Sequence, residues 1–246
     1  MTRSDTPAAP TAVRPRRVVT DRRGGRSRSP YESFNLGDHV GDDPADVAAN
    51  RSRVARELGV PEDRLVWMQQ VHGTGVAVVD GPQGAPVAGT DGLVTATRGL
   101  VLCVLVADCV PVLLADHETG VVAAVHAGRE GLRAGVLPAA LSAMASLGAR
   151  ARYVTALLGP AVCGACYEVP AQMQADVARV APSAAVRTRA GTTGLDLRAG
   201  VAEVLRRAGI AEVVQDPRCT VEDPTLFSHR RDRVTGRQAG IVWLDA

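Results

Sequence analysis

The stretch that decides the fold is LVLCVLVADCVPVLLADHETGVVAAVHAG, running from Leu100 to Gly128. Leu100–Ala107 is an unbroken Val/Leu run of the kind expected for a strand buried on both faces. Val110–Ala115 and Val121–Val125 read as two further strands. Between them, Asp116-His117-Glu118-Thr119-Gly120 has the chemistry of a hairpin turn. If Asp116 pairs with Val121 across that turn, Pro111 falls opposite His126, and Cys109 lies within about two residues of the same rung. Paired residues stand about 4.5–5.5 Å apart across an antiparallel ladder. Cys109 and His126 can therefore approach one point in space.

Working outward, Val18–Ser29 offers a short strand followed by an Arg/Gly-rich turn. Asp46–Leu58 has helical spacing, with Pro44 near its start. Val76–Val79 is a strand. Residues 131–147 read as an Ala/Leu-rich helix, 153–158 as a strand, 170–180 as a helix beginning at Pro170, and 196–208 as a helix stopped by Gly209. Strands near 211–215 and 240–244 close the chain. Helices and strands interleave around a central β-meander. The reading is an α/β mixture (α+β), with mixed β-sheets flanked by helices. Residues 1–15, rich in Pro, Ala, Thr and Ser, are expected to be a disordered basic leader, and 16–246 a single catalytic domain.

Composition narrows the function. Of 246 residues, 46% are hydrophobic but only 3% aromatic, so the core must be Val, Leu and Ala. No apolar run approaches the roughly 20 residues of a membrane span, and no secretory signal follows the N-terminal arginines; both argue for the cytosol and against a membrane partner. There is no lysine anywhere. Schiff-base, pyridoxal and phosphate-loop lysine chemistries are thereby excluded, and any substrate anion must be held by arginine, backbone N–H groups or a metal. The net charge of +2 conceals a basic leader on a mildly acidic body, which does not suit a nucleic-acid-binding domain.

Three residues share a setting at strand ends, where loops present reactive groups on a rigid scaffold. They are His72 in Gln69-Gln70-Val71-His72-Gly73, Cys109 and His126. A Cys/His/His set is the three-ligand complement of catalytic zinc, with one position left open; copper suits the same donors. On spacing alone, ordinary core and surface residues remain the plainer reading. Cys163-Gly164-Ala165-Cys166 is half of a structural zinc site or a redox pair. With Cys219 standing alone in the sequence, it reads instead as packing cysteines near Pro160. Asp108 either orients a ligating histidine or caps the turn after its strand. The run Phe227-Ser228-His229-Arg230-Arg231-Asp232, followed by Thr235-Gly236-Arg237-Gln238, suits phosphate recognition by guanidinium groups or a solvated charged loop.

Taken together, these segments resemble one family. The resemblance begins at Thr20-Asp21-Arg22-Arg23-Gly24-Gly25 and runs through Ser33–Asp43, Asn50-Arg51, Gln70-Val71-His72-Gly73 and Thr90-Asp91-Gly92. It continues in Ala107-Asp108-Cys109-Val110-Pro111, Val125-His126-Ala127-Gly128, Gly159-Pro160 and Cys166-Tyr167-Glu168-Val169. Arg230-Arg231-Asp232 and Thr235-Gly236-Arg237-Gln238 complete it. The chain after about residue 17 thus resembles the laccase-domain family, also called multicopper polyphenol oxidases or peptidoglycan editing factors and described as purine nucleoside phosphorylases.

The resemblance implies a laccase-domain, cysteine-hydrolase-like fold and Zn²⁺ on His72, Cys109 and His126. It implies phosphorolysis of adenosine, inosine and methylthioadenosine, with adenosine deamination beside it. With no lysine present, Arg51, Arg230 and Arg231 are the candidates for holding phosphate, and Asn35 for a ribose hydroxyl or the base. Two departures stand out. The family's usual Trp-Arg-Gly after His126-Ala127-Gly128 is here Arg129-Glu130-Gly131, and its usual Ala-Asn is here Ala199-Gly200. A true multicopper oxidase needs about ten histidines for its copper centres; this chain has five. Two other readings are an amidase-type hydrolase that edits peptidoglycan precursors with Cys109 as nucleophile and His126 as base, and a weakly active metal-binding module.

Overall fold

The computed structural model describes residues 14–245. In chain order it places β1 at Pro15–Val19, α1 at Pro44–Leu58, β2 at Leu65–Val66, β3 at Val76–Val78, β4 at Gly92–Thr95, β5 at Val101–Val106, β6 at Val110–Asp116 and β7 at Val121–Ala127. Then follow α2 at Arg129–Ala134, α3 at Val136–Ser146, β8 at Val154–Leu158, α4 at Ala171–Ala178, β9 at Ala185–Arg187, β10 at Thr193–Leu195, α5 at Leu197–Arg207, β11 at Glu212–Gln215, α6 at His229–Asp232 and β12 at Gln238–Leu244.

Two mixed sheets carry the architecture. One has the order β1-β12-β5-β2 and the other β11-β8-β6-β7-β4-β3. In the first, β2 runs parallel to β5 while the remaining pairs are antiparallel. In the second, both outer pairs are parallel and the inner ones antiparallel. Asp116 pairs with Val121 and Pro111 with His126, the register that the hairpin reading requires.

Side chains alternate between faces along each strand, and here both faces are covered. Leu102, Val104 and Val106 of β5 meet Leu113, Ala115, Val122 and Ala124 of β6 and β7 in a layer between the sheets. The opposite face of β5, with Val101, Cys103 and Leu105, packs on Phe34, Leu36 and Val54 of α1 and its approach. The opposite face of β6 and β7, with Val112, Leu114, Val121 and Ala123, packs under Leu132, Leu137 and Val201 from the helices. The result is four layers: helix, sheet, sheet, helices. Every residue of β5, β6 and β7 is buried. That is why these strands read as continuous apolar runs although most of their pairings are antiparallel, where one wet face is the commoner outcome.

The differences from the sequence reading are local. Most of the leader, residues 1–13, lies outside the described residues, but Pro15 already belongs to β1. A proline is tolerated there because β1 is an edge strand. The single helix expected over 131–147 is two, broken at Gly135, whose φ of 100° needs a residue without Cβ. Strands β2, β4, β9 and β10 were not anticipated. Each has at most four residues, too few for a period to show.

Candidate active site

Two of the three reactive side chains sit at strand termini and the third in a loop. His72 lies in the loop between β2 and β3, Cys109 in the corner between β5 and β6, and His126 next to the last residue of β7. One donor atom from each lies within 4.8 Å of the others. The two imidazoles meet edge to face with centroids 4.7 Å apart. Gly128 permits the convergence: a Cβ there would stand 3.1 Å from Cys109 Sγ and 3.2 Å from His72 Cδ2.

Asp91, fully buried ahead of β4, organises the group. Its carboxylate accepts the backbone N–H groups of Val71 (3.2 Å), His72 (2.9 Å) and Gly73 (2.7 Å). It also meets Nδ1 of His126 at 2.8 Å, while its carbonyl accepts the His126 amide at 2.7 Å. With Nδ1 so engaged, His126 directs Nε2 to the shared point, the carboxylate–imidazole arrangement that fixes ligand orientation in metal sites. The same carboxylate supports the left-handed backbone of His72, φ 60°, a conformation costing a non-glycine residue about 1–3 kcal/mol. Gln70 holds the loop from the other side. Its amide donates to Leu105 O and its carbonyl accepts Leu105 N–H, both at 2.8 Å.

Asp108, φ 91°, forms no hydrogen bond with a histidine. It accepts from Thr220 Oγ1 (2.6 Å), Ser228 Oγ (2.7 Å) and the Arg230 amide (2.6 Å), tying two distant loops to the β5–β6 corner. Of the two roles open to it, histidine orientation belongs to Asp91. In the sequence Thr90-Asp91-Gly92 stands out only as part of the resemblance; an acid just ahead of the short apolar run Leu93-Val94 is the one further signal.

Charge in the site is strongly coupled. Burial alone would raise the Cys109 thiol, but the adjacent His126 and His72 overcome it and bring the thiol down to about 6. For His126 burial acts downward, and Cys109 and Asp91 reverse it, lifting the imidazole to about 9. Each group thus favours the charged form of the other, thiolate beside imidazolium. Two nitrogens and a soft thiolate, one nitrogen backed by a carboxylate, fit the donor preferences of zinc and copper.

A cavity of about 370 Å³ opens above the trio, lined among others by His39, Gln70, Tyr167, His229, Arg230 and Arg237. It falls within the roughly 300–1,000 Å³ range of small-molecule sites. The Arg230 guanidinium lies 4.8 Å from the Tyr167 ring centroid. Arg237, half-buried, has its pKa lowered by burial and partly restored by Cys109 and Asp108. The sequence reading had not singled out Arg237 as a substrate ligand, though it lies in the quoted Thr235–Gln238 run.

Of the four substrate-binding candidates only Arg230 lines this cavity. Asn35 is fully buried and spends its amide on Gly37, Asp42 and the Arg237 backbone. Arg51 donates to Leu36 O, pairs with Asp38 and stacks 4.3 Å from the Trp67 centroid. Arg231 donates to the carbonyls of Thr220, Asp223 and Leu226. These three act as braces for the loops around the cavity. At the departures, Arg129 forms an ion pair with Glu130. A Cβ on Gly200 would stand 2.9 Å from Ala184 Cβ and 3.0 Å from Leu132 Cδ2, so α5 is packed too closely there for a larger side chain.

The fold and the Cys/His/His cluster define a class: mixed-sheet α+β proteins with a three-donor centre at the sheet ends. YlmD from Geobacillus stearothermophilus, a solved structure, superposes with a TM-score of 0.87 at 32% identity, covering 94% of this chain and 92% of that one. Residues 16–245 match the family described as multi-copper polyphenol oxidoreductase laccase. The chain belongs to that family. Among its relatives, a protein of Streptomyces coelicolor named purine nucleoside phosphorylase is 59% identical, over 92% of this chain and 94% of its own. One of the same name from Mycobacterium tuberculosis is 56% identical, over 95% and 94%.

Proposed function

We propose that this chain is a zinc-dependent purine nucleoside phosphorylase of the cytosol. It converts adenosine, inosine or methylthioadenosine and phosphate into the free base and the sugar 1-phosphate, with adenosine deamination as a side activity. The observation carrying this reading is the convergence of His72, Cys109 and His126 on the floor of a cavity whose wall presents Arg230 and Arg237. Relatives named purine nucleoside phosphorylase over nearly their whole length support it.

His72, Cys109 and His126 would hold the ion, which when bound supplies Lewis-acid chemistry at neutral pH. Arg230 and Arg237 bind the phosphate dianion and hold it beneath C1′ of the ribose. A phosphate oxygen forms a bond to C1′ as the C1′–N9 bond breaks; the electron pair passes into the purine, which takes up the proton that the phosphate hydroxyl gives up. The arginines act electrostatically, and their fixed positions require no reorganisation as charge shifts. Tyr167, its ring against Arg230, offers a flat apolar wall to the substrate.

A second reading is favoured by one observation. Cys109 and His126, the latter backed by Asp91, also form a nucleophile–base–carboxylate series. This would suit an amidase acting on peptidoglycan precursors. Chromatography of inosine incubated with the purified protein, with and without phosphate, tests the first reading. Hypoxanthine appearing only with phosphate supports phosphorolysis; nucleosides left unchanged by the zinc-loaded protein reject it. His72→Ala separates the two, since a thiol–imidazole pair does not need that residue.

A further inference from the structure

Spacing along the chain leaves Cys219 by itself and Cys163-Gly164-Ala165-Cys166 as half a site. The fold corrects this. Cys163, Cys166, Cys219 and Glu222 each bring one ligand atom to within 4.8 Å of the others, and none of the three thiols is in a disulfide. We infer that these four residues form a second metal site, separate from His72, Cys109 and His126, that takes a soft divalent cation with zinc preferred and has a structural role.

The two halves have the same form. Cys163 and Cys166 are three residues apart, as are Cys219 and Glu222. Each turn is closed on its first residue: the Cys166 amide donates to Cys163 O at 3.0 Å and the Glu222 amide to Cys219 O at 3.1 Å. This i, i+3 turn is the spacing that presents paired ligands to tetrahedral zinc. The turns are joined directly. Ala161 and Cys219 form a bridge, with the Thr220 amide donating to Ala161 O at 3.2 Å. The Cys163 amide reaches Cys219 Sγ at 3.4 Å, the type of contact that holds a ligating sulfur in place. Zinc–sulfur bonds of about 2.3 Å put tetrahedral sulfurs roughly 3.8 Å apart, within the spread seen. Cys219 is buried while Glu222 is exposed. Arg189 forms an ion pair with the Glu222 carboxylate and so orients it. Three thiolates and a carboxylate complete four-coordination with no position for water, the mark of a structural rather than a catalytic ion.

The position gives such an ion a purpose. Val162 and Tyr167, which flank the first turn, both line the active-site cavity. Thr220, in the second turn, donates to Asp108 beside Cys109. An ion joining the two turns would clamp the cavity wall to the corner that carries Cys109.

The test uses the full chain in reducing buffer. His72→Ala/Cys109→Ser/His126→Ala removes the first centre, so retained metal reports on the second. About one zinc per chain should remain by elemental analysis. Substituted Co²⁺ should show a thiolate charge-transfer band that weakens by about a third in Cys166→Ser, as one of three sulfurs is lost. Glu222→Gln should preserve that band but lose metal faster to a chelator. Should the triple variant not fold, Cys163→Ser/Cys219→Ser in the otherwise unaltered chain should lower its zinc content by about one equivalent. The inference is overturned by no zinc in the triple variant while Cys163, Cys166 and Cys219 are all free thiols, by a disulfide among them under reduction, or by zinc unaffected by the cysteine changes. Failure of the phosphorylase reading leaves all these readouts unchanged.

Discussion

At the scale of single residues, the site separates groups that face the cavity from groups that brace it, and two adjacent arginines make the contrast testable. Arg230 lines the cavity, whereas Arg231 is consumed by loop carbonyls. A charge-assisted contact is worth about 1.5–3 kcal/mol. Arg230→Ala should therefore raise the phosphate KM about 10–100-fold in steady-state assays with little change in stability. Arg231→Ala should instead lower the urea midpoint. Asp91→Asn keeps shape but removes the charge that faces His126. It should weaken zinc binding about 10–100-fold in chelator competition, the usual effect of losing a ligand's supporting carboxylate. Although burial works upward on Asp91, the His126 contact and the Gly73 and Val71 amides bring its pKa below the ordinary value. A carboxylate depressed in the folded state stabilises above its unfolded pKa, about 3.9, and that contribution is lost as pH falls through the folded pKa. In the metal-free protein, the stability gap between wild type and Asp91→Asn should be level from about pH 7 to 5. It should close below about pH 4; a gap that widens on acidification would contradict the assignment.

At the scale of elements, α5 shows packing deciding a residue that looks functional in one dimension. Gly200 stands where the family resemblance leads one to expect asparagine, and the absence of a polar contact is one reading. The close approach of Ala181, Ala184 and Leu132 to that position supports the opposite. Gly200→Asn should destabilise the protein by about 1–3 kcal/mol, the cost of overpacking, measured by urea unfolding; restored or increased turnover without loss of stability would refute it. The α2–α3 break belongs to the same scale. Gly135 turns the chain so that α2 caps the ligand-bearing end of β7 while α3 lies along the outer face of its sheet.

At the scale of the whole molecule, a metal at the first centre would join three segments that the backbone brings from separate parts of the chain. Ligands that bind only the folded state stabilise it by mass action. Zinc at about 100 times its Kd adds about 2.7 kcal/mol, which for a chain of this size raises Tm by roughly 5–10 °C. Chelation should lower the melting temperature by at least that amount, more if both centres are emptied, and abolish phosphorolysis, and zinc should restore both. A melting temperature indifferent to chelator would count against resident metal at either centre.

The central meander and its register were legible in the sequence because hairpin pairing is local. Once Asp116 opposes Val121, the alternation of faces carries His126 to the rung of Pro111 and puts Cys109 beside it. The lack of lysine and the order of motifs were likewise one-dimensional facts. What only the tertiary structure decided were contacts between distant segments. Asp91 reaches both His72 and His126 from just ahead of a strand too short to carry a period. Arg230 and Arg231 are neighbours in sequence, yet only one faces the cavity. Cys219 meets Cys163 and Cys166 across more than fifty residues. A side chain's role follows from which partners occupy its surroundings, and those partners are set by how layers pack, not by spacing along one strand.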